Sequence, residues 1–357
     1  MKNVLVVFTT GFVPYGGLTT VMMNYWRAMD KAGLHFDFAC TNDPEKKLLD
    51  EIESKGCSYI KLPSRKKVIY YYKALKNIAT NYNVAHIHGN SATSILELSA
   101  LSAVPNRIIH NHNSVTSHPI INLLLKPFFL RSYTQAIACS ELAGDWLFGK
   151  GKYKILRNAI DVKRFTPSQE QRASTRKMFG FSEEELVIGH VGKIIKQKNH
   201  TFIIDVFAEF LKLHPKSKLL LIGGGSLEKI INEKIKTLNI EKSVVMAGLR
   251  TDIPDMMSAM DAFLFPSLWE GLPLAALEAQ AAGLPVFISD VISSEVKISE
   301  NCHVKSLNDD ASSWARFLFQ NIAPQKRNFS VRSNADALTK TGYNIRTEAD
   351  KLRKLYF

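Results

Sequence analysis

The 357-residue chain has no Asp-x-Asp anywhere. That removes the usual carboxylate pair for holding Mg²⁺ or Mn²⁺ beside a nucleotide diphosphate, so neither a metal nor a cofactor is expected. There is no G-x-G-x-x-G either, and with it goes the dinucleotide-binding fingerprint. The four cysteines, Cys40, Cys57, Cys139 and Cys302, stand far apart without metal or redox spacing and read as reduced core residues of a cytosolic protein. No apolar run is long enough to span a bilayer. The strand-like VLVVF already begins at residue 4, so no signal peptide is expected. Acids are scarce in one stretch: between Ser54 and Ser140 the single one is Glu97, against ten Lys/Arg.

What is present in excess is positive charge, a net +13. Residues 1–165 carry 21 Lys/Arg against 11 Asp/Glu, and the remainder 25 against 22. A field so concentrated favours anionic partners, whether nucleic acid, phosphorylated substrates or an acidic membrane. The length is too great for one small core and indicates two domains. Short apolar runs alternate with amphipathic stretches throughout. In the first half they are 4–8, 36–40, 85–88, 107–111 and 136–140; in the second, 186–192, 218–224, 244–248, 262–266 and 284–289. Apolar nearly throughout, they suit parallel strands covered on both faces. Helical patterns at 199–213, 227–238 and 273–282 complete an α/β order. The polar TPSQEQRAST after Phe165 marks the seam, giving domains 1–165 and 166–342. Residues 343–357 show helical spacing and are expected to pack back on the first domain. Doubly wound sheets bind ligands at their strand carboxyl ends, so a cleft between the domains is the expected site.

The sharpest local pattern is SLWEGLPLAALE, 267–278, followed by AQAAGLPVFIS. Pro273 suits a first helical turn, where its missing N–H has no partner to lose. Glu278 then falls among Leu274, Ala275, Leu277 and Ala281, where an ionised carboxylate is costly unless something binds it. Glu270 occupies the strand–helix turn. A second pattern, GHVGKIIKQKNH (189–200), joins glycine, a helix start and the lysines Lys193 and Lys198, a phosphate-binding combination. Gly16-Gly17, ahead of a helix, and Gly223-Gly224-Gly225 are weaker signals that serve equally as turns. His86/His88 and His110/His112 close two strands, and period two puts each pair on one face. A four-histidine metal site is conceivable there; a single polar histidine at the cleft, His112, is the preferred reading.

At these residues the chain resembles the GT-B glycosyltransferases of family 4, the retaining "glycosyl transferases group 1" type, over nearly its whole length. Glu270 and Glu278 match that family's E-x₇-E, and GHVGK–KQKNH its glycine-plus-basic diphosphate loop. ACSELAGDWLFG (138–149) and LRNAIDVKRF (156–165) match the end of the acceptor domain and the start of the next. GGLTTVMMNYWRAM and EGLPL are similar to capsule and exopolysaccharide enzymes. The resemblance implies two Rossmann-like domains facing a cleft. It implies transfer of a hexose or related sugar from a UDP-sugar to a polyprenyl-diphosphate-linked saccharide, with retention. Lys193 and Lys198 would clamp the diphosphate, Gly16 and Gly17 would approach it, and Glu278 would hold the ribose. Glu270 would contact the moving sugar with His112 near its reacting end, Arg250 would border the base, and Gly271, Leu272 and Leu274 would complete the donor loop. Two departures stand out: Lys193 replaces a usual arginine, and Pro273 a common glycine.

Two alternatives are a GT-B-fold nucleotide-sugar epimerase and a basic nucleic-acid-binding protein using Tyr70-Tyr71-Tyr72. Against the second, charge and aromatics are not interleaved elsewhere, so no nucleic-acid partner is expected. The basic segments 65–76 and 120–131 instead suggest an anionic membrane face, placing the protein peripherally on the inner side of the cell membrane.

Overall fold

The computed structural model describes residues 1–13, 17–116, 118–270, 272–322 and 332–357. They form two compact units, Met1–Ala159 with Gly342–Phe357, and Ile160–Thr341.

The first unit alternates β1 (Lys2–Phe8), α1 (Gly17–Ala28), β2 (Leu34–Cys40), α2 (Lys46–Glu53), β3 (Ser58–Lys61) and α3 (Val68–Ile78). Then come β4 (Val84–His88), α4 (Ile95–Ala100), β5 (Asn106–Asn111), α5 (Pro119–Phe129), β6 (Gln135–Ala138), α6 (Glu141–Phe148) and β7 (Lys154–Ile155). The sheet runs β3-β2-β1-β4-β5-β6-β7 and is parallel. The chain crosses from β1 to the other side of the sheet between β3 and β4, so the order reverses at β1/β4.

In the second unit the order is α7 (Gln169–Phe179), β8 (Leu186–Val191), α8 (His200–Leu213), β9 (Ser217–Ile222), α9 (Glu228–Thr237), β10 (Val244–Met246) and α10 (Ile253–Ala259). It continues with β11 (Ala262–Phe265), α11 (Leu274–Ala281), β12 (Val286–Ser289), β13 (Cys302–Lys305), α12 (Ala311–Asn321) and α13 (Arg332–Lys340). This parallel sheet runs β10-β9-β8-β11-β12-β13, reversing at β8/β11. α14 (Ile345–Tyr356) belongs to the first unit, where it packs on α1, as the C-terminal spacing led us to expect.

Each apolar run noted in the sequence is a strand, because helices cover both faces of each sheet; Val4 to Phe8 are wholly buried. The strands that the sequence does not announce, β3, β7 and β13, all lie towards sheet edges, where half-exposed residues such as those of SYIK replace an apolar run. Along β4, Ala85 and Ile87 join the core under α3 to α6, while His86 and His88 face the opposite way, towards α14.

Two features of the α3–α5 layer depart from ordinary packing. Glu97, the lone acid of its stretch, is fully buried on α4, and Arg65 grips it through Nε–Oε1 at 2.6 Å and Nη2–Oε2 at 2.9 Å. Arg65 is therefore not a free surface cation, which corrects its inclusion among membrane-facing residues. α5 is turned inside out: Asn122 and Phe129 point inward, Asn122 Oδ1 accepting from the Ala92 N–H at 2.7 Å, while Ile120, Ile121, Leu123, Leu124 and Phe128 are exposed.

Arg65→Ala leaves the Glu97 carboxylate buried without its partner, which typically costs about 3–5 kcal/mol. Urea unfolding of this variant is expected to show that loss, with much of it recovered in Arg65→Ala/Glu97→Gln.

Candidate functional site

Where strand order reverses in a parallel sheet, the loops on either side diverge and leave a crevice at the strand carboxyl ends. At β8/β11 the two loops are residues 192–199 and 266–272. Lys198 folds back across the first of them, its Cδ and Cε lying where a Cβ on Gly192 would come within 3.4 Å. The nearest atom to such a Cβ is His190 Nε2 at 2.9 Å, so glycine at 192 keeps clear of that ring while the lysine stem lies alongside. Lys198 Nζ reaches Glu270 Oε1 at 2.5 Å and lies 4.7 Å from the centre of the Phe265 ring, which ends β11. The loops are stitched together around this pair. Leu268 N–H donates to the Gln197 carbonyl (2.8 Å), Gln197 Nε2 to the Trp269 carbonyl (2.9 Å) and Asn199 Nδ2 to the Pro266 carbonyl (3.1 Å). Asn199 takes the left-handed conformation at φ 56° to begin α8, which asparagine tolerates better than most residues.

Behind the lysine loop lies Gly223-Gly224-Gly225, whose place is set by packing. A Cβ on Gly223 would stand 2.0 Å from the Gly192 carbonyl oxygen, and one on Gly225 2.4 Å from that of Ile194. Ile194 N–H donates to the Gly224 carbonyl at 3.0 Å. These glycines let two loops touch backbone to backbone. Lys193, in the same loop, has an exposed side chain.

The helix after the second loop starts at Leu274, with Pro273 as its N-cap and not in its first turn. Leu272 and Leu274 are half-buried; Gly271 lies outside the described residues. Glu278 is half-buried one turn along α11, and burial pushes its carboxyl up to about 7 while Arg164 partly holds it down. Arg164 also donates to the Thr251 carbonyl at 3.1 Å, next to Arg250. Arg250 itself is closed on Asp252, Nε–Oδ1 2.8 Å, and that partner raises its pKa. The second unit therefore brings Lys198 and Glu270 into contact and sets Glu278 on the following helix, whereas Arg250 is committed to its own neighbour.

In the first unit Gly17 opens α1, and a Cβ there would meet nothing within 4 Å; Gly16 lies outside the described residues. The protein's own packing does not demand glycine at 17. The switch point β1/β4 is closed by Thr9, whose hydroxyl donates to the His88 carbonyl at 2.8 Å. His86, His88, His110 and His112 gather on one face. His86 Nδ1 meets the Tyr356 hydroxyl (2.8 Å), His86 Nε2 meets His110 Nδ1 (3.3 Å), and His88 Nδ1 meets His112 Nε2 (3.0 Å). Burial lowers His86 to about 3 and His112 to about 4, and carries His88 and His110 well below their ordinary range, so all four rings are neutral. Asn158 beside His112 partly offsets its shift, although neither Asn158 Oδ1 nor His112 Nδ1 closes a hydrogen bond of normal geometry. His86, His88 and His110 offer ring nitrogens within 4.8 Å of one another, a set that suits a transition ion in principle. Both nitrogens of His86 and one each of the other two are already engaged with their neighbours.

Sequence reasoning missed Phe265, Gln197 and Arg164. The first two sat inside recognised patterns, read as a strand residue and a loop spacer; Arg164 lay within LRNAIDVKRF, read only as the start of the second domain.

Glu278 gives a pH prediction with a definite sign. A carboxyl raised to about 7 favours the folded state only while protonated, so its contribution is complete below about 4.5 and lost as pH rises through 7. Glu278→Gln is expected to raise the melting temperature by a few degrees at pH 8 and to leave it unchanged at pH 4, by scanning calorimetry of the ligand-free protein.

Comparison with known proteins identifies the family. The family profile "Glycosyl transferases group 1" matches residues 171–313, and "Glycosyltransferase Family 4" matches residues 15–164. A putative glycosyltransferase, EpsF of Bacillus subtilis strain 168, is 31% identical across 95% of this chain and 96% of its own. The Escherichia coli UDP-Gal:alpha-D-GlcNAc-diphosphoundecaprenol alpha-1,3-galactosyltransferase is 26% identical across 82% of this chain and 79% of its own. Among solved structures, Anabaena HepE in complex with UDP-glucose superposes with a TM-score of 0.79 at 17% identity, covering 99% of each chain. Both curated relatives are glycosyltransferases, and the epimerase alternative finds no support among them. Sequence kinship over nearly the full length and two parallel-sheet α/β units lead to one conclusion: the chain belongs to the GT-B glycosyltransferases of family 4, the glycosyl transferases group 1.

Proposed function

We propose that the protein transfers a hexose or related sugar from a UDP-sugar to a lipid-linked saccharide during synthesis of a bacterial surface polysaccharide, with retention and without a metal ion. The observation that carries the donor half is the β8/β11 crevice, with an ammonium held over Phe265 on one loop and a half-buried carboxyl on the helix after the other. A diphosphate suits the first and a ribose diol the second. HepE, solved with UDP-glucose, supports uracil as the base. The galactosyltransferase whose acceptor carries diphosphoundecaprenol supports a lipid-linked acceptor.

In this reading Lys198, Lys193 and the loop amides stabilise the negative charge that grows on the departing diphosphate, where preorganised donors contribute most. The anomeric C–O bond to phosphate breaks as the acceptor oxygen bonds to the same face, and the leaving phosphate oxygen takes the acceptor's proton. Glu270 contacts the moving sugar, Glu278 the ribose, and Arg250 borders the base once its contact with Asp252 permits. Gly16, Gly17 and His112 serve from the first unit. A hydrolysis screen of UDP-, GDP- and dTDP-sugars tests the reading. Slow cleavage of a UDP-sugar that persists in excess EDTA is expected, and loss on chelation with rescue by one divalent ion overturns metal independence.

The lipid-linked acceptor gives the outward face of α3–α5 a purpose. Val68, Ile69 and Tyr70 on α3 and Ile120, Leu123, Leu124 and Phe128 on α5 are exposed, with Lys66, Lys67 and Lys73 exposed among them. Both helices pack on α4, so they belong to one layer. Contiguous exposed apolar side chains mark an interaction surface, and the surrounding lysines select an anionic bilayer, each contributing about 1 kcal/mol near an acidic leaflet. Wild type is expected to co-sediment with phosphatidylglycerol vesicles at low salt, and less as the Debye length shrinks from about 10 Å at 0.1 M to about 3 Å at 1 M. A variant with Ser at 66, 67, 73, 123, 124 and 128 is expected to stay in the supernatant. Equal sedimentation of the two proteins removes this face from the membrane.

A further inference from the structure

We propose that Glu270 competes with the donor diphosphate for Lys198 and thereby ejects the spent nucleotide after sugar transfer. The inference rests on the nucleotide-diphosphate reading above and goes beyond a sugar-contacting role for Glu270.

The pair is built in. The side chains of Lys198 and Glu270 are 17% and 7% exposed, and their atoms stand 2.5 Å apart. The lysine stem runs past Gly192 and its ammonium lies over the Phe265 ring, mostly shielded from solvent. The Gln197–Trp269 and Gln197–Leu268 bonds hold the two loops together on either side of the contact. In the ligand-free protein the charge meant for phosphate is already neutralised, at short range and in partly desolvated surroundings.

A diphosphate arriving at Lys198 brings further negative charge to an ammonium that holds a carboxylate, and like charges crowded together cost affinity. The cost depends on what else the carboxylate can bind. With an intact nucleotide sugar, sugar hydroxyls donate to Glu270, so the carboxylate is satisfied and the ammonium is shared or ceded. Once the sugar has left, the free nucleotide offers Glu270 no hydroxyl in that position. The carboxylate then returns to Lys198, and the nucleotide is bound less tightly than the substrate was. The same ion pair thus distinguishes a loaded donor from a spent one and limits product inhibition.

The sign of the predicted effect separates this proposal from simpler roles. Glu270→Gln keeps the shape and removes the charge. If Glu270 only touches sugar, free UDP binds the variant as it binds wild type; if the residue only supports the loops, UDP binds worse. Under competition UDP binds roughly tenfold tighter or more, while the preference for UDP-sugar over UDP shrinks. Titration calorimetry with UDP, and GDP in parallel, is run on wild type, Lys198→Ala, Glu270→Gln and Glu270→Ala, using whichever nucleotide binds wild type more tightly. Melting temperatures report loop integrity, and steady-state kinetics report the inhibition constant of the product nucleotide, expected to fall in Glu270→Gln. If neither nucleotide binds wild type, or Lys198→Ala binds as well as wild type, the diphosphate reading of this loop fails. If Lys198→Ala weakens binding but neither glutamate variant tightens it, the competition is overturned and the diphosphate reading stands.

Discussion

Both sheets are parallel and buried on both faces, so their polar business is confined to strand ends. At β8/β11 that confinement is extreme: Gly189, Gly192, Gly223 and Gly225 all stand where a single added carbon would collide with a neighbour. The second unit's site depends on this closeness. Only because the lysine loop lies directly on the triple-glycine loop, and is stitched to the loop after β11, does Lys198 come to rest on Phe265 against Glu270. A methyl group at 192 would crowd the His190 ring at 2.9 Å and fill the space beside the lysine stem.

Charge is handled differently in the two units. In the second, burial is used to create tension: Glu278 is raised to about 7, so it is held uncomfortably as a carboxylate until a hydrogen-bond donor relieves it. In the first unit the buried acid is fully answered. Arg65 closes on Glu97 from outside the core and fixes α3's approach to α4. The histidine row is kept neutral and acts as a chain of hydrogen-bonding rings leading from Tyr356 on α14 to β4 and β5. Through that chain the last helix of the polypeptide is tied to the sheet formed by its first part.

α5 shows how one polar residue redirects a helix. Asn122 faces inward and accepts from the Ala92 N–H, and with Phe129 and the partly buried Leu125 it seats the helix. The apolar side chains that would ordinarily form the core stripe are left outside beside lysines. That inversion leaves the first unit with exposed apolar side chains on α5 in the half of the chain where basic residues are concentrated.

The sequence by itself determined the strands, because parallel sheets write apolar runs that need no partner to be read. It also determined the family, because the turn chemistry at 192–199 and 267–278 is local. Local, too, was the clue that Glu278 was out of place among alanines and leucines. What the sequence left open was every relation between segments distant along the chain. Lys198 and Glu270 are 72 residues apart, and nothing in either loop says that they touch. Arg65 reads as one more surface cation until α4 brings Glu97 beneath it, and Arg164 as part of a domain-entry segment until it approaches α11. The same holds for the facing of α5: its periodicity specifies an amphipathic helix, but that Asn122 and Phe129 turn inward is seen only where Ala92 and the core meet them. Periodicity is a property of one segment, whereas burial and pairing are properties of what the fold packs against it, and only the tertiary structure supplies those partners.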